Sequence, residues 1–436
     1  MARMLIRNAT ILTMDPRLGD LAGGDLMIED GRIAAVGRDL KAQDAEIIDG
    51  ERLIVLPGLI NAHLHTWETG LRGIGGTWLA PDYHKNMHGN MTSKFSAEDT
   101  YLATLLGALG QINAGTTTLM DWCHNNSTPA HTDSAIDALF EAGIRSVFGH
   151  GTVKPPQKEG EPHYSEIPHP RSEIERLRKG RLCQDRSLVT LAMAILGPEF
   201  STTQVTLADF RLAREMGLMS SSHVWNRPGK ISPDGFYPVI EAGLLGPDHN
   251  VVHGNFVPDE ELRAMVEAGA SFTVTPAVEL QTSPTVTLIG RLLALGKKPS
   301  LGADAEIFVA GDMFHVMRFA LQAQRIFDNQ DCGRAGRPVE TLLSPRQVLE
   351  WATIEGARAL MMEDNIGSLT PGKQADLICI AADHINLAPI NDPVQAVVLY
   401  AERSDVESVM IGGEWVKRDG RLAYPAKDIA AKRESL

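Results

Sequence analysis

Pro57-Gly58-Leu59-Ile60-Asn61-Ala62-His63-Leu64-His65 decides how this chain is read. The apolar run Leu53 to Leu56 leads into it, so Leu53–His65 reads as one buried strand ending in two histidines. Side chains at i and i+2 leave a strand on the same side, so His63 and His65 present both imidazoles to one point. A buried His-x-His pair is ordinarily just hydrogen-bonded. The preceding Pro-Gly, the place at a strand end and the partners found further along make this one a candidate metal site.

Outward from that stretch, short apolar runs alternate with helix-period segments. Strands are expected at Leu53–His65, Thr116–Trp122, Ile144–Gly151, Leu188–Glu199, Leu218–Val224, Asn250–Gly254, Ser271–Pro276 and Pro299–Asp304, with helices such as Ala97–Asn113 and Met313–Phe327 between or after them. Strands and helices alternating over about 300 residues fit an α/β chain folded as a (β/α)8 TIM barrel. A doubly wound open sheet competes, but no predicted strand is followed by Gly-x-Gly-x-x-Gly. Both ends read differently. Residues 1–52 alternate apolar and polar positions around the hairpin cue Asp30-Gly31, and short strands with tight turns return at Ala375–Ile380, Val406–Val416 and Arg418–Leu422. The expected organisation is a barrel over residues 57–365 and a small β-sandwich assembled from residues 1–56 and 366–436.

Composition narrows the partners. The net charge of −14 argues against nucleic acid, which needs clustered Lys and Arg. The basic cluster Arg176, Arg178, Lys179 and Arg181 is short, lies beside glutamates and reads as a solvated helix face. Four scattered cysteines without Cys-x-x-Cys spacing suit a reduced cytosol. No signal peptide and no run of about 18 apolar residues is evident. The expectation is a cytoplasmic protein without membrane or nucleic-acid partners, whose acidic surface suits a neutral-to-cationic small substrate.

In a barrel the C-terminal ends of the strands face the active site. Those ends carry His63 and His65, His223, His253 and Asp304, with Asp121, His124, His150 and Glu199 nearby. Imidazole nitrogen and carboxylate oxygen suit Zn²⁺ or Fe²⁺ and leave a position open for water. The ion draws that water's pKa down towards ~7, and a neighbouring carboxylate can accept the proton.

This constellation resembles the amidohydrolase superfamily, in its branch of s-triazine hydrolases and cytosine-, guanine- and S-adenosylhomocysteine-type deaminases. The resemblance runs through Pro57-Gly58…His63-x-His65, Ala114-Gly-Thr-Thr-Thr-Leu-Met-Asp121, Leu196-Gly-Pro, the isolated His223, Val252-His253-Gly254, Leu301-Gly-Ala-Asp304 and Ile366-Gly-Ser-Leu-Thr-Pro-Gly-Lys-Gln-Ala-Asp376-Leu. It implies that His63, His65, His223 and Asp304 bind one divalent metal per chain, zinc ahead of iron. By the same resemblance His253 sits beside the bound water and Asp304 doubles as proton acceptor. Binuclear members carry a modified lysine at the end of the fourth strand, where this chain has Leu196-Gly-Pro-Glu199, so a single ion is expected and Glu199 is a candidate substrate contact.

Two departures bear on the substrate. Deaminases of the branch show His-x-x-Glu at the fifth strand, and this chain has His223-Val224-Trp225-Asn226. An amide does not titrate, so Asn226 cannot be the general acid. Glu279 and Glu306 are the candidate replacements. After the seventh strand the usual Pro-x-Ser-Asn is replaced by Thr275-Pro276-Ala277-Val278-Glu279. The expected substrate-binding residues are Trp67, Trp78, His124, Glu199, Trp225, Asn226 and Glu279, with Tyr83, His84 and His88 lining a long loop after the first strand. The resulting expectation is a metal-dependent hydrolase of a non-peptide carbon–nitrogen bond in a small cyclic or heterocyclic substrate. The alternatives are a chlorohydrolase of triazine-like compounds, hydratase or lyase chemistry at the same centre, and an inactive binding protein. Self-association into a homo-oligomer is expected by analogy.

Overall fold

The computed structural model describes residues 3–41, 43–225, 230–339 and 343–435. Within them eight strands run parallel in chain order: β1 (Leu59–Leu64), β2 (Thr116–Cys123), β3 (Arg145–Gly151), β4 (Val189–Ala194), β5 (Ser220–Val224), β6 (His249–His253), β7 (Ser271–Val274) and β8 (Ser300–Leu301). All their residues are buried, as a parallel sheet covered on both faces requires. The first and last strands meet just beyond β8. Asp304 N–H donates to His63 O at 3.0 Å, and His65 N–H donates to Asp304 O at 2.7 Å. The sheet is thereby drawn round into a barrel.

Helix α1 (Ala97–Asn113) shows how local sequence builds the outer layer. Ser96 caps it by accepting from Asp99 N–H at 3.1 Å, while the Asp99 carboxylate accepts from Ser96 N–H at 2.8 Å. Its buried Leu102, Leu105, Leu109 and Ile112 recur every three or four residues, and the last three pack into the main core. Inside the barrel, Ile60, Met120, Val147, Ala192 and Ala194 form one cluster with Ala357, Leu360 and Ile366. That cluster plugs the end where the strands begin, so the opposite end is left for chemistry.

The expected strand Leu53–His65 is divided. Leu53–Pro57 belongs to a separate nine-stranded sheet, between Arg3–Ile11 and Leu377–Ala381, and only Leu59–Leu64 enters the barrel. The break is at Gly58, whose N–H donates to Asp376 O at 3.0 Å in the terminal sheet, while the next N–H, of Leu59, donates to Gly115 O at 3.1 Å in the barrel. A Cβ on Gly58 would lie 2.0 Å from Thr117 Oγ1, so only glycine lets the chain cross there. The run Leu53–Leu56 is continuously apolar because both of its faces are covered. Leu53 and Val55 join Leu377 and Cys379 in the terminal core, while Ile54 and Leu56 join Ile378 and Ile380 against the barrel.

Asp376 clamps the two sheets. Its carboxylate accepts from Arg145 Nε (2.6 Å) and Nη2 (3.0 Å) and from Gly412 N–H (2.7 Å). The basic cluster is indeed a solvated face: Arg176 pairs with Glu173 and Asp133, Lys179 with Glu175, and Arg178 and Arg181 with Asp185 and Asp137. Among the described residues no helix is long and apolar enough to cross a membrane.

Candidate metal centre

At the open end β1 delivers His63 and His65, β5 delivers His223, and the turn after β8 delivers Asp304. One donor atom from each lies within 4.8 Å of all the others, and all four residues are buried. His63 Nε2 and His65 Nε2 stand 3.2 and 3.5 Å from Asp304 Oδ1, and His223 Nε2 is 3.2 Å from His63 Nε2. Gly302 makes the approach possible, since a Cβ there would sit 2.8 Å from the backbone oxygen of His63.

The donor set fits a divalent ion. His65 Nδ1 lies 2.7 Å from the Trp122 carbonyl, which only accepts, so the proton sits on Nδ1 and the Nε2 lone pair faces the cluster. Burial holds the imidazoles in the neutral, ligating form: His65 is pushed down to about 3, His63 is lowered, and His223 lies well below its ordinary value. Burial alone would raise Asp304, but the His63 hydrogen bond and the surrounding imidazoles outweigh it and hold the carboxyl well below its ordinary value. His253 and Asp304 hold φ of +72° and +64°, left-handed values that side chains other than glycine rarely adopt and that concentrate at functional sites.

His253 stands next to this cluster. Its Nε2 is 3.9 Å from Asp304 Oδ2, and its Nδ1 is 3.2 Å from Glu279 Oε1. Glu279 Oε1 also accepts from Thr275 N–H (2.8 Å), and Oε2 accepts from Asn255 Nδ2 (3.1 Å). Trp225 stacks on His253 with ring centroids 4.3 Å apart.

A cleft of about 510 Å³, part of it open solvent, lies above these groups, lined among others by His65, His223, His253 and Asp304. Of the expected substrate contacts, His124 and Trp225 line it, as do Tyr83, His84 and His88 of the long loop. Others stand behind the wall. Trp67 is fully buried and its Nε1 donates to His124 Nδ1 at 3.2 Å, and Glu279 backs His253. Glu199 is buried on the helical turn Gly197–Phe200, of which Phe200 reaches the cavity, and Trp78 packs at the edge of the core. Glu306 is occupied by Arg72 Nε and Thr69 Oγ1, both at 2.7 Å. Asn226 lies outside the described residues. Sequence reading missed Glu68, Thr275 and Lys154. Tyr83 Oη donates to Glu68 Oε1 at 2.8 Å, and burial pushes this carboxyl up to about 8. Lys154 lies three residues past the end of β3, where the strand-end rule would have reached it had the reading continued beyond His150.

Comparison with known proteins agrees with this geometry. The chain is 29% identical over 428 residues to the 5'-deoxyadenosine deaminase of Methanothermobacter thermautotrophicus, covering 95% of each chain. Its fold superposes on a triazine hydrolase variant with a TM-score of 0.86 at 20% identity, covering 100% of this chain and 99% of the other. It superposes on the atrazine chlorohydrolase of Arthrobacter aurescens TC1 complexed with zinc with a TM-score of 0.81 at 21% identity, covering 99% of both. Residues 54–416 match the sequence model of the Amidohydrolase family, and by that match, which spans most of its length, the chain belongs to the amidohydrolase family.

Proposed function

We propose that the protein is a metal-dependent hydrolase that breaks a non-peptide carbon–nitrogen bond of a small heterocycle and releases an amine. The observation that carries this reading is the convergence of His63, His65, His223 and Asp304 on one point beneath a cleft lined by imidazole and aromatic rings. In it those four residues hold one ion, and the zinc complexed by a protein of the same fold supports zinc as that ion. When bound, such an ion supplies Lewis acidity that draws the pKa of water towards ~7.

The remaining work falls to side chains of this chain. In this reading Asp304 Oδ2, which faces His253 and Thr275, takes the proton of the attacking water and returns it to the departing amine nitrogen. The buried Glu279 accepts the proton on His253 Nδ1, which fixes the ring and leaves Nε2 to orient the nucleophile or polarise the substrate. Trp225 closes one side of the ring and excludes bulk water. A deaminase relative supports an amine as leaving group. The free cysteines, three of them buried, support a reducing, cytoplasmic compartment.

The test is elemental analysis of the purified protein, together with turnover of amino-, chloro- and amide-bearing heterocycles in H₂¹⁸O before and after chelation. The expected result is one metal per chain, release of an amine and label in the product. Chloride release would replace the amine reading with the chlorohydrolase, and product without label would overturn hydrolysis.

A further inference from the structure

Lys154 stands alone. It is 6% exposed and lines the cavity that holds the metal ligands. Among the described residues its Nζ has no carboxylate within 4.0 Å, and its nearest polar neighbour is His88 Nε2 at 3.5 Å. Its other surroundings are aromatic: the Phe200 ring centroid is 4.6 Å away and that of Trp122 is 5.9 Å away. An ammonium taken out of water without a carboxylate partner is costly, and a long hydrogen bond to a neutral imidazole and contact with ring faces offset only a fraction of that cost. Buried lysines are ordinarily paired. The missing partner is therefore supplied by what enters the cavity.

We propose that Lys154 is a substrate-binding residue, and that the substrate presents to it an anionic oxygen while the carbon under attack faces the metal ligands. This deepens the hydrolase reading by naming the substrate class of the same cavity. It also reverses the expectation of a neutral-to-cationic substrate, because the overall charge of −14 belongs to the surface and not to this pocket. The charge inventory of the wall agrees. Burial lowers Lys154 to about 8, which leaves it mostly cationic at neutral pH. The buried Glu68, whose carboxyl acts on Lys154 from beyond 4.0 Å, is engaged by Tyr83 Oη. His88, pushed far down by burial, is neutral. A metal ion would add further positive charge. The anionic oxygen has two chemical sources, a carboxylate substituent on the ring or an ionised ring oxo group.

Binding of an aromatic carboxylate and of its primary amide, measured by calorimetry on the zinc-loaded protein and on Lys154→Met, tests the proposal. Methionine keeps an unbranched apolar stem of four heavy atoms and removes the ammonium. The wild type is expected to prefer the carboxylate by roughly 10- to 100-fold, the range of a hydrogen bond to a charged group, and the variant to lose the preference. Equal binding of the two probes, or a preference that survives in Lys154→Met, overturns the proposal, the latter because the metal alone would then select the anion. Should Lys154→Met not fold, the wild-type protein stripped of zinc answers the same question: a retained preference supports Lys154 and a lost one overturns it. Turnover of amino-heterocycles bearing a ring carboxylate, an ionisable oxo group or neither then separates the two sources. Carboxylate selection without any turnover would leave the anion site standing and sink the hydrolase reading.

Discussion

At the residue scale, the proposed chemistry depends on groups that do not touch the metal position. His253 is held by Glu279, which is in turn held by Thr275 N–H and Asn255 Nδ2. Glu279→Gln keeps the shape but removes the carboxylate that anchors the Nδ1 proton. It should lower kcat by roughly 10- to 100-fold, as losses of such supporting partners do, while the metal content stays at the wild-type value. Loss of metal in that variant would show that Glu279 shapes the ligand cluster instead. By contrast, His63→Ala or Asp304→Asn should abolish activity and sharply lower bound metal in elemental analysis. Full occupancy in either would remove that residue from the proposed ligand set.

At the scale of elements, two close contacts decide where the site forms. Gly302 lets the turn after β8 run against His63, with no room for a Cβ. Gly302→Ala should therefore push Asp304 away from the histidines, and metal content should fall even though no ligand has been changed. The second contact is the buried pair between Arg145 on β3 and Asp376, which leads into Leu377–Ala381. Asp376→Ala strands the Arg145 cation in the interior and should cost about 3–5 kcal/mol in urea unfolding. An unchanged unfolding midpoint would mean that the junction relaxes and water reaches the guanidinium.

For the whole molecule, stability is linked to metal and pH. An ion that binds only the folded protein stabilises it by about 4 kcal/mol at a free concentration 1,000 times its Kd, so chelation should lower Tm and restoring zinc should recover it. Away from the metal cluster, His249 and His150 are pushed down by burial to about 3 and about 4. Between those values and about 6.5 the unfolded chain binds their protons and the folded one does not, so stability falls as pH drops through this window. Urea titrations from pH 7 to 4 should show that fall, and His249→Gln should make it shallower. An identical slope in the variant would mean that other buried histidines carry the acid limb.

What the sequence determined by itself was whatever rests on local pattern. The alternation of apolar runs and helical periods laid out the barrel, and the expected helix Ala97–Asn113 is the observed α1. Strand-end positions gathered His63, His65, His223, His253 and Asp304, because period two and the barrel's polarity are properties of the chain, and the family resemblance singled out the four ligands among them. The tertiary structure alone decided the rest. Leu53–His65 is continuous in sequence, yet it serves two sheets because Gly58 faces Thr117, a residue far along the chain. Trp67 and Glu279, polar or aromatic at strand ends, looked like cavity residues but stand one layer behind it, since facing partners set that depth. Lys154 carries no motif, and its meaning is burial without a countercharge. Such a quantity exists only once distant walls have closed around the side chain.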